Sequence, residues 1–172
     1  MYNTNSQAKT TLESWYQTNI GSKSDLAKNV AAGAYYCEQA KTKRSDSYTS
    51  GSATMTTYNK YTPDFKCTTD GNGKGLVNAS VGLLTYDEVA YAGGYFDKNN
   101  NSYYLYNSAI YWWTMSPAGF SDSLANIWYV SATGFVNYYY VGSTYRLRPV
   151  LILNADTLVT GSGTSSDPFV VE

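Results

Sequence analysis

Aromatic and small neutral polar side chains near the carboxyl end are the residues best suited to chemistry in this chain, and that chemistry is binding. The sequence contains 19 Tyr, 4 Trp and no His. A Tyr-Tyr-Tyr run at 138–140 lies beside Asn137, Ser143 and Tyr145. Tyr and Trp give rigid contact area at low rotamer cost, while Ser and Asn adapt their hydrogen bonds to a partner. The pattern predicts an exposed contact patch on a stable scaffold.

Strand geometry restricts which of these tyrosines face solvent. Successive side chains of a strand point to opposite faces, so three in a row cannot all enter a core. Either Tyr138 and Tyr140 face outward, or Tyr139 alone does. The alternative is a Tyr-rich strand that packs under a loop or against a neighbouring subunit, because buried Tyr is also common. The remaining large aromatics are expected in the core, where they supply much of the buried area: Trp15, Trp112, Trp113 and Phe135.

Catalysis is the activity that the sequence argues against most directly. Without His, neither a Ser-His-Asp nor a Cys-His arrangement can be built. Asp87 and Glu88 belong to a helix start and Asp122 is a single loop residue, so no pair of carboxylates is indicated for glycoside hydrolysis. We therefore expect that the protein is not an enzyme.

Metal sites are also not predicted. The segments that begin at Asp70 and Asp97 start like calcium-binding loops. Their twelfth positions are Val81 and Ser108, where such a loop requires a bidentate Glu. Asn, Asp and Gly favour turns for backbone reasons alone. We expect plain turns and no metal or other cofactor.

Two cysteines, Cys37 and Cys67, leave two possibilities open. Their spacing matches neither a redox CxxC pair nor a zinc site. A bridge between them would stabilise the fold by roughly 3–4 kcal/mol on the chain-entropy model. Two separate buried thiols are the alternative, because free Cys is among the most buried residue types.

Charge and hydropathy limit the kinds of partner that the chain is expected to have. Charged residues make up 15% of the chain, the formal net charge is −1, and no basic run exceeds Lys43-Arg44. Nucleic acid is therefore not expected as a ligand. No apolar run approaches the ~18 residues of a membrane helix, so no membrane insertion is expected.

The polarity of the chain comes from Ser, Thr, Asn and Tyr, which favours an extracellular, cell-surface or viral-particle location, although no signal peptide follows Met1. Such a protein either lost a leader or reaches the outside on a particle.

Helical signals concentrate in the first half. Apolar residues between Ser6 and Ile20 follow a 3.6-residue period, and Gly21 is a typical stop. A second helix through Asp25 is expected to be capped by Ser22 or Ser24. Residues 42–61 show no period and predict an irregular loop.

A capping box and a series of strands follow. Thr85 and Glu88 have the spacing of a reciprocal helix cap, and the helix should stop at Gly93-Gly94. Arg146 and Arg148 are expected to be structural. Their guanidinium groups should pair with carboxylates or carbonyls beneath the face of the sheet that carries the tyrosines. Short helices followed by strands indicate an α+β fold. Strands are expected at 76–84, 95–96 (turning back toward 103–106), 111–114, 127–130, 135–141 and 147–153, interrupted at Pro149.

Three motifs give the chain a resemblance to a known family. Tyr-Trp-Trp-Thr-Met-Ser-Pro at 111–117, Val130-x-x-x-Gly134, and Arg-Leu-Arg-Pro-Val-Leu-Ile-Leu at 146–153 resemble the C-terminal half of bacterial and viral C-type lectin-fold domains. The branch is the one that includes formylglycine-generating enzymes. The likeness covers about residues 76–171. It implies that residues 1–172 form a single C-type lectin-like domain, with short helices packed on small antiparallel sheets and long irregular loops.

Two of the three functions of that branch fit poorly. Formylglycine generation needs cysteines within the lectin core, whereas Cys37 and Cys67 precede the resembling region. Calcium-dependent sugar binding needs a Glu-Pro-Asn, Gln-Pro-Asp or Trp-Asn-Asp triplet, and the sequence contains none.

The third function is that of variable proteins of diversity-generating retroelements, in which Asn codons are changed at adenines to give Tyr, Ser, Asp or Thr. Those residue types crowd the C-terminal region. The resemblance implies a receptor-binding protein that recognises a protein or a glycan and can be oligomeric. A fixed-specificity adhesin or lectin and a structural assembly subunit are the alternatives. The predicted ligand-binding residues are Ser121, Asp122, Ser123, Asn126, Trp128, Asn137, Tyr138, Tyr139, Tyr140, Ser143 and Tyr145.

Overall fold

A computed structural model describes residues 6–38, 65–67, 69, 75–96, 98–121, 124–164 and 166–172. Its helices and strands make the fold α+β, as predicted. Two compact units divide the chain: one draws on residues up to 35, 78–82 and 149–172, and the other on residues 36–77 and 83–148. The single domain expected over residues 1–172 and its C-type lectin-like fold stay predictions.

Helices α1 (Gln7–Tyr16) and α2 (Ser24–Ala27) belong to the first unit. The predicted N-terminus of α1 is confirmed, since the Ser6 hydroxyl accepts a hydrogen bond of 3.2 Å from the Lys9 amide. The last turn, Gln17–Gly21, is π-helical. The predicted cap of α2 was wrong: Lys23 occupies the N-cap position without a side-chain hydrogen bond, because Ser24 already lies within the helix. Trp15, expected in the core, is exposed, while Leu12 and Tyr16 are buried.

The strands follow in chain order. Among the described residues they are β1 (Tyr35–Cys37), β2 (Leu76–Asn78), β3 (Tyr95–Phe96), β4 (Trp112–Ser121), β5 (Leu124–Val130), β6 (Phe135–Tyr140), β7 (Arg146–Leu147), β8 (Val159–Thr160) and β9 (Val170–Val171).

Two predicted strands are much shorter in the structure. The strand expected at 76–84 is limited to β2, and the strand expected at 147–153 is limited to Leu147, with Arg146 before it. Beyond these strands, isolated bridges join Gly82 to Val150 and Val30 to Leu153. Pro149 has no N–H to donate to a ladder, which is consistent with the early end of β7.

Cys37 at the end of β1 forms a disulfide with Cys67, with 4.9 Å between the two Cα atoms. Of the two possibilities left open by the spacing, the structure therefore shows the bridge. β1 pairs with β2 in a two-stranded sheet. The irregular loop expected at 42–61 and most of the turn expected after Asp70 lie outside the described residues.

Helix α3 (Tyr86–Tyr91) carries the predicted capping box. The Glu88 amide donates to the Thr85 hydroxyl at 3.2 Å, and the Thr85 amide donates to the Glu88 carboxylate at 2.7 Å. The chain then turns at Gly93, whose φ of 110° only glycine adopts readily. Helix α3 is thereby fixed at both ends beside the main sheet of its unit.

That main sheet has five strands in the order β3-β6-β5-β4-β7. The central pairs β4–β5 and β5–β6 are antiparallel, while the edge strands β3 and β7 are parallel to β6 and β4. The expected pairing of β3 with residues 103–106 was wrong. Residues near Asn100 and Tyr103 bond locally instead: the Asn100 side-chain amide donates to the Gly93 carbonyl, and the Tyr106 amide to the Tyr103 carbonyl.

One face of this sheet forms the hydrophobic core against α3. Val130 and Val136 are fully buried there, and Trp112 nearly so. The Trp128 ring lies 4.5 Å from that of Tyr86 on α3 and 5.7 Å from that of Phe96 on β3. Helix α3 and the loop residues Tyr103 and Leu105 therefore cover the middle of this face.

Candidate functional site

Alternation along the central strands separates the aromatic residues into two sets. Trp112 pairs with Val130, and Trp128 pairs with Tyr138, on the core face. One residue further along, Trp113 pairs with Tyr129 on the opposite face. Adjacent aromatic residues of one strand therefore lie on opposite faces of the sheet.

Five rings meet on that opposite face, and we call them the aromatic cluster: Tyr111, Trp113, Tyr129, Tyr139 and Tyr145. The Tyr145 ring is central. Its centroid lies 4.5 Å from that of Trp113, 4.9 Å from Tyr129, 5.5 Å from Tyr111 and 6.2 Å from Tyr139. These distances are typical of favourable tilted and offset aromatic pairs.

The aromatic cluster has a buried base and an exposed outer layer. Trp113 and Tyr129 are each only 8% exposed. Tyr145 is half-buried above them. Tyr111 is 42% exposed and Tyr139 52% exposed. The outer rings are thus held by packing and still reach solvent.

Tyr145 reaches this position because of the connection between β6 and β7. β6 and β7 are not neighbours in the sheet, since β5 and β4 lie between them. After a turn in which the Ser143 amide donates to the Tyr140 carbonyl, the chain crosses to the far edge. There the Arg146 amide donates to the Tyr111 carbonyl at 2.9 Å. The crossover therefore brings Tyr145 onto rings contributed by three different parts of the chain: the start of β4, β5 and β6.

The aromatic cluster is electrically neutral. Burial, and then the neighbouring phenols of Tyr145, Tyr111 and Tyr139, raise the pKa of Tyr129 to about 12. Burial also raises the pKa of Tyr145. From residue 99 to residue 145 the sequence contains a single charged side chain, Asp122. The phenols of Tyr129 and Tyr145 consequently offer neutral hydroxyl groups at physiological pH.

The structure brings some of the predicted ligand-binding residues together. Tyr139 and Tyr145 belong to the aromatic cluster. Asn137 pairs with Tyr129 and falls on the same face, half-buried, and Ser143 is half-buried in the turn that precedes Tyr145. Of the two orientations predicted for the Tyr run, the structure shows the one in which Tyr139 points to the free face.

Other predicted residues lie elsewhere. Trp128 is 3% exposed and belongs to the core, so it offers no surface to a ligand. Asn126 is buried, and Tyr138 packs with its ring 5.4 Å from that of Trp128. Tyr140 is 40% exposed but falls on the core side of β6, at the end of the strand. The common reason is the two-residue period, which places these positions on the face that α3 covers.

The other three predicted ligand-binding residues are consecutive in the sequence. Ser121 is the last residue of β4 and pairs with Leu124. Asp122 and Ser123 lie outside the described residues.

Three cluster members were missed by the sequence reasoning. Tyr111, Trp113 and Tyr129 are not in the predicted set, and Trp113 was expected in the core. Trp113 is indeed buried, although on the other face of the sheet, beneath Tyr145. The i, i+2 spacing of Tyr111 and Trp113 is the signal that could have placed both on one face.

Arg148 serves the core, as predicted for it. Its guanidinium donates to the Leu105 carbonyl at 2.6 Å and lies 5.3 Å from the centre of the Trp112 ring. Burial raises the pKa of the nearby Tyr103 to about 12, with Arg148 acting in the lowering direction. Arg146 is exposed. The contacts of Arg148 with Leu105 and Trp112 join the loop at residues 103–105 to the sheet and are separate from the aromatic cluster.

Within the described ranges, no group of three or more His, Cys, Asp or Glu side chains is placed to hold a metal ion. The helices that the structure describes do not reach the length and apolarity needed to traverse a bilayer. The chemistry available at the aromatic cluster is stacking on ring faces and hydrogen bonding to neutral hydroxyl and amide groups.

Comparisons with known proteins give one match. A family model described as a domain of unknown function (DUF6273) matches residues 31–155. No curated protein and no solved structure matches the chain.

Proposed function

The chain belongs to the DUF6273 family, and we propose that it is a binding protein, without catalytic activity, whose aromatic cluster contacts a receptor. One observation carries the proposal. Tyr111 and Tyr139 are about half exposed while they rest, through Tyr145, on the buried rings of Trp113 and Tyr129.

Preorganisation is the physical reason that such an arrangement suits binding. Ordering a mobile side chain at an interface costs about 0.5–1.5 kcal/mol. The outer tyrosines lose less on binding, because ring contacts already restrict them. Tyr and Trp are also enriched among the residues that dominate binding energy at interfaces.

The disulfide supports an oxidising location. Disulfides persist in secreted and surface proteins and are rare in the cytosol. Together with the polar, weakly charged composition, the Cys37–Cys67 bridge supports the proposal that the protein acts outside the cell, on a cell surface or a viral particle.

Burial favours fixed specificity over retroelement diversification. Asn126 and Tyr138 have the residue types that adenine mutagenesis produces, yet they face the core. Replacing Tyr138 by Asp or Ser would unpack Trp128. We therefore favour an adhesin of fixed specificity, with a C-type lectin-like fold. A near-identical repeat beside the coding DNA, differing only at adenines, would favour the diversified protein instead.

Adhesion of beads coated with the full chain to intact bacterial and animal cells tests the function. We expect the wild type to adhere to at least one surface and the double variant Tyr111→Ala with Tyr139→Ala to lose that adhesion. Tyr140→Ala is the matched control, since this residue is adjacent to Tyr139 and similarly exposed but points to the other side.

Circular dichroism of each variant establishes that the fold is retained. Wild-type beads that adhere to no surface, or a double variant that adheres as well as the wild type, would contradict the proposal. A stable oligomer in light scattering, with Tyr111 and Tyr139 protected from chemical modification, would show an assembly subunit instead.

A further inference from the structure

We propose that the ligand of the aromatic cluster is a neutral polysaccharide, whose sugar rings stack on Tyr111, Tyr145 and Tyr139. This inference rests on the proposed binding function and narrows it to one class of ligand. Three observations support it: the absence of charge, the chemistry of the rings and the distances between them.

The charge distribution opposes a charged partner. Strands β4, β5 and β6 carry no Asp, Glu, Lys or Arg among their residues. The exposed Arg146 follows Tyr145 directly, but it pairs with Trp112 and alternation places it on the side of the sheet opposite the aromatic cluster. Acidic polymers and nucleic acids need Lys or Arg to neutralise them. Protein partners commonly rely on complementary charges for orientation and fast association. An uncharged surface instead matches a ligand whose polar groups are hydroxyls.

The rings provide the complementary chemistry. The face of an aromatic ring carries the negative part of its quadrupole, which attracts the slightly positive C–H groups of a sugar face. The Tyr145 phenol is protonated at neutral pH, and burial raises its pKa further, so it can both donate to and accept from a sugar hydroxyl. Asn137 on the same face adds an amide near Tyr129.

The spacing of the rings matches a chain of sugars. The Tyr145 ring centre lies 5.5 Å from that of Tyr111 and 6.2 Å from that of Tyr139. Both distances are comparable to the length of one hexose unit in a polysaccharide. Neighbouring sugars of one chain can therefore contact Tyr145 and either of its two exposed neighbours, and a monosaccharide can use only one ring.

Affinity gel electrophoresis of the full chain is the primary test. Gels contain xyloglucan, a mixed-linkage β-glucan or galactomannan, with polygalacturonate as the acidic comparison. We expect a neutral polysaccharide to retard the wild type equally at low and high salt. Tyr139→Ala should weaken this binding by about five- to tenfold, the effect of losing one ring contact. Tyr139→Phe should keep most of the binding, and Tyr140→Ala all of it.

Calorimetry with oligosaccharides of the bound polysaccharide tests the row of rings. Affinity should rise from the mono- to the trisaccharide and change little beyond it. No retardation by any of the three neutral polysaccharides, binding of polygalacturonate alone, or retardation unchanged in Tyr139→Ala would overturn the inference.

Bead adhesion to cells treated with periodate or with protease distinguishes a failure of the glycan inference from a failure of the proposed binding function. If periodate oxidation of the cells abolishes bead adhesion and protease digestion does not, a glycan is the ligand. If digestion abolishes adhesion and oxidation does not, the ligand is a protein: the glycan inference fails while the binding function stands. Adhesion of the beads to protein-free phosphatidylcholine vesicles, lost in Tyr139→Ala, would overturn the glycan in favour of a lipid surface.

Discussion

The rings of Trp113 and Tyr145 lie 4.5 Å apart with their planes inclined by 34°. Trp113 comes from β4, which lies between β5 and β7, whereas Tyr145 comes from the crossover between two strands that are not neighbours. This contact closes the base of the aromatic cluster and sets the height at which Tyr111 and Tyr139 meet solvent.

Removing the Tyr145 ring should expose Trp113. In Tyr145→Ala we expect the tryptophan emission to shift to longer wavelength and acrylamide quenching to increase, because the indole loses its cover. Stability should fall by about 1–2 kcal/mol, the loss of a half-buried ring with several aromatic contacts. Tyr104→Ala, at an exposed position outside the aromatic cluster, is the control. Unchanged quenching in Tyr145→Ala would contradict the layered arrangement.

Tyr138 and Tyr139 should differ sharply although they are adjacent. Tyr138 packs against Trp128 and lies 6.5 Å from Phe96, so Tyr138→Ala should cost about 2–4 kcal/mol through the cavity left behind. Tyr139→Ala should cost less than about 1 kcal/mol, because its ring is half exposed. Urea denaturation of the two variants measures this difference. Equal losses of stability would mean that the two faces of β6 are wrongly assigned.

Alkaline pH should destabilise the fold through Tyr129. The folded protein holds the pKa of this phenol at about 12, above its ordinary value of 10.0. The neutral form is therefore favoured by folding, and its contribution to stability is complete below about pH 10 and lost as the pH rises through about 12. Tyr129→Phe removes the titrating hydroxyl and keeps the ring.

The free energy of unfolding, measured between about pH 9 and pH 11.5, should thus fall less steeply in Tyr129→Phe than in the wild type. Absorbance near the phenolate band should also show one fewer late-titrating group. Parallel stability curves for the two proteins would argue against burial of this hydroxyl.

Gly134 should not tolerate a side chain. Its φ is +79°, and an added Cβ would collide with the backbone carbonyl of Asn100. Gly134→Ala should therefore cost about 3 kcal/mol or more, since backbone atoms would have to move. Gly142→Ala is the comparison: its Cβ would meet only the outer end of the Tyr140 side chain, which can rotate away. A small effect at Gly134 would show that this turn is looser than described.

Elements specified by neighbouring residues were predictable. The Ser6 cap, the capping box of Thr85 and Glu88, and the turn at Gly93 each depend on side chains within a few positions of one another. The α+β character followed from helical signals in the first half and strand signals in the second. The position of β6 was predicted to within one residue, whereas β4 and β5 are longer than the strands expected at 111–114 and 127–130. The two-residue period also limited the Tyr run to two orientations.

Elements that depend on partners far apart in the chain could not be predicted from the sequence. The parallel pairing of β3 with β6 replaced an expected local hairpin, and β7 ended before Pro149. For the candidate site, the sequence identified Tyr139 and Tyr145 but also Trp128, Asn126 and Tyr138, which face the core. The periodicity of β6 alone could not say which of its faces α3 would cover.

By itself, the sequence determined the chemical character of the site: neutral, Tyr-rich and without a catalytic imidazole, because composition does not depend on folding. It also determined the local caps and the alternation of faces. Only the tertiary structure decided which face is free, that Cys37 meets Cys67, and that the crossover places Tyr145 over Trp113 and Tyr129. Those outcomes rest on contacts between residues far apart in the chain, whose free energies depend on the packing of the whole sheet and not on any short stretch of residues.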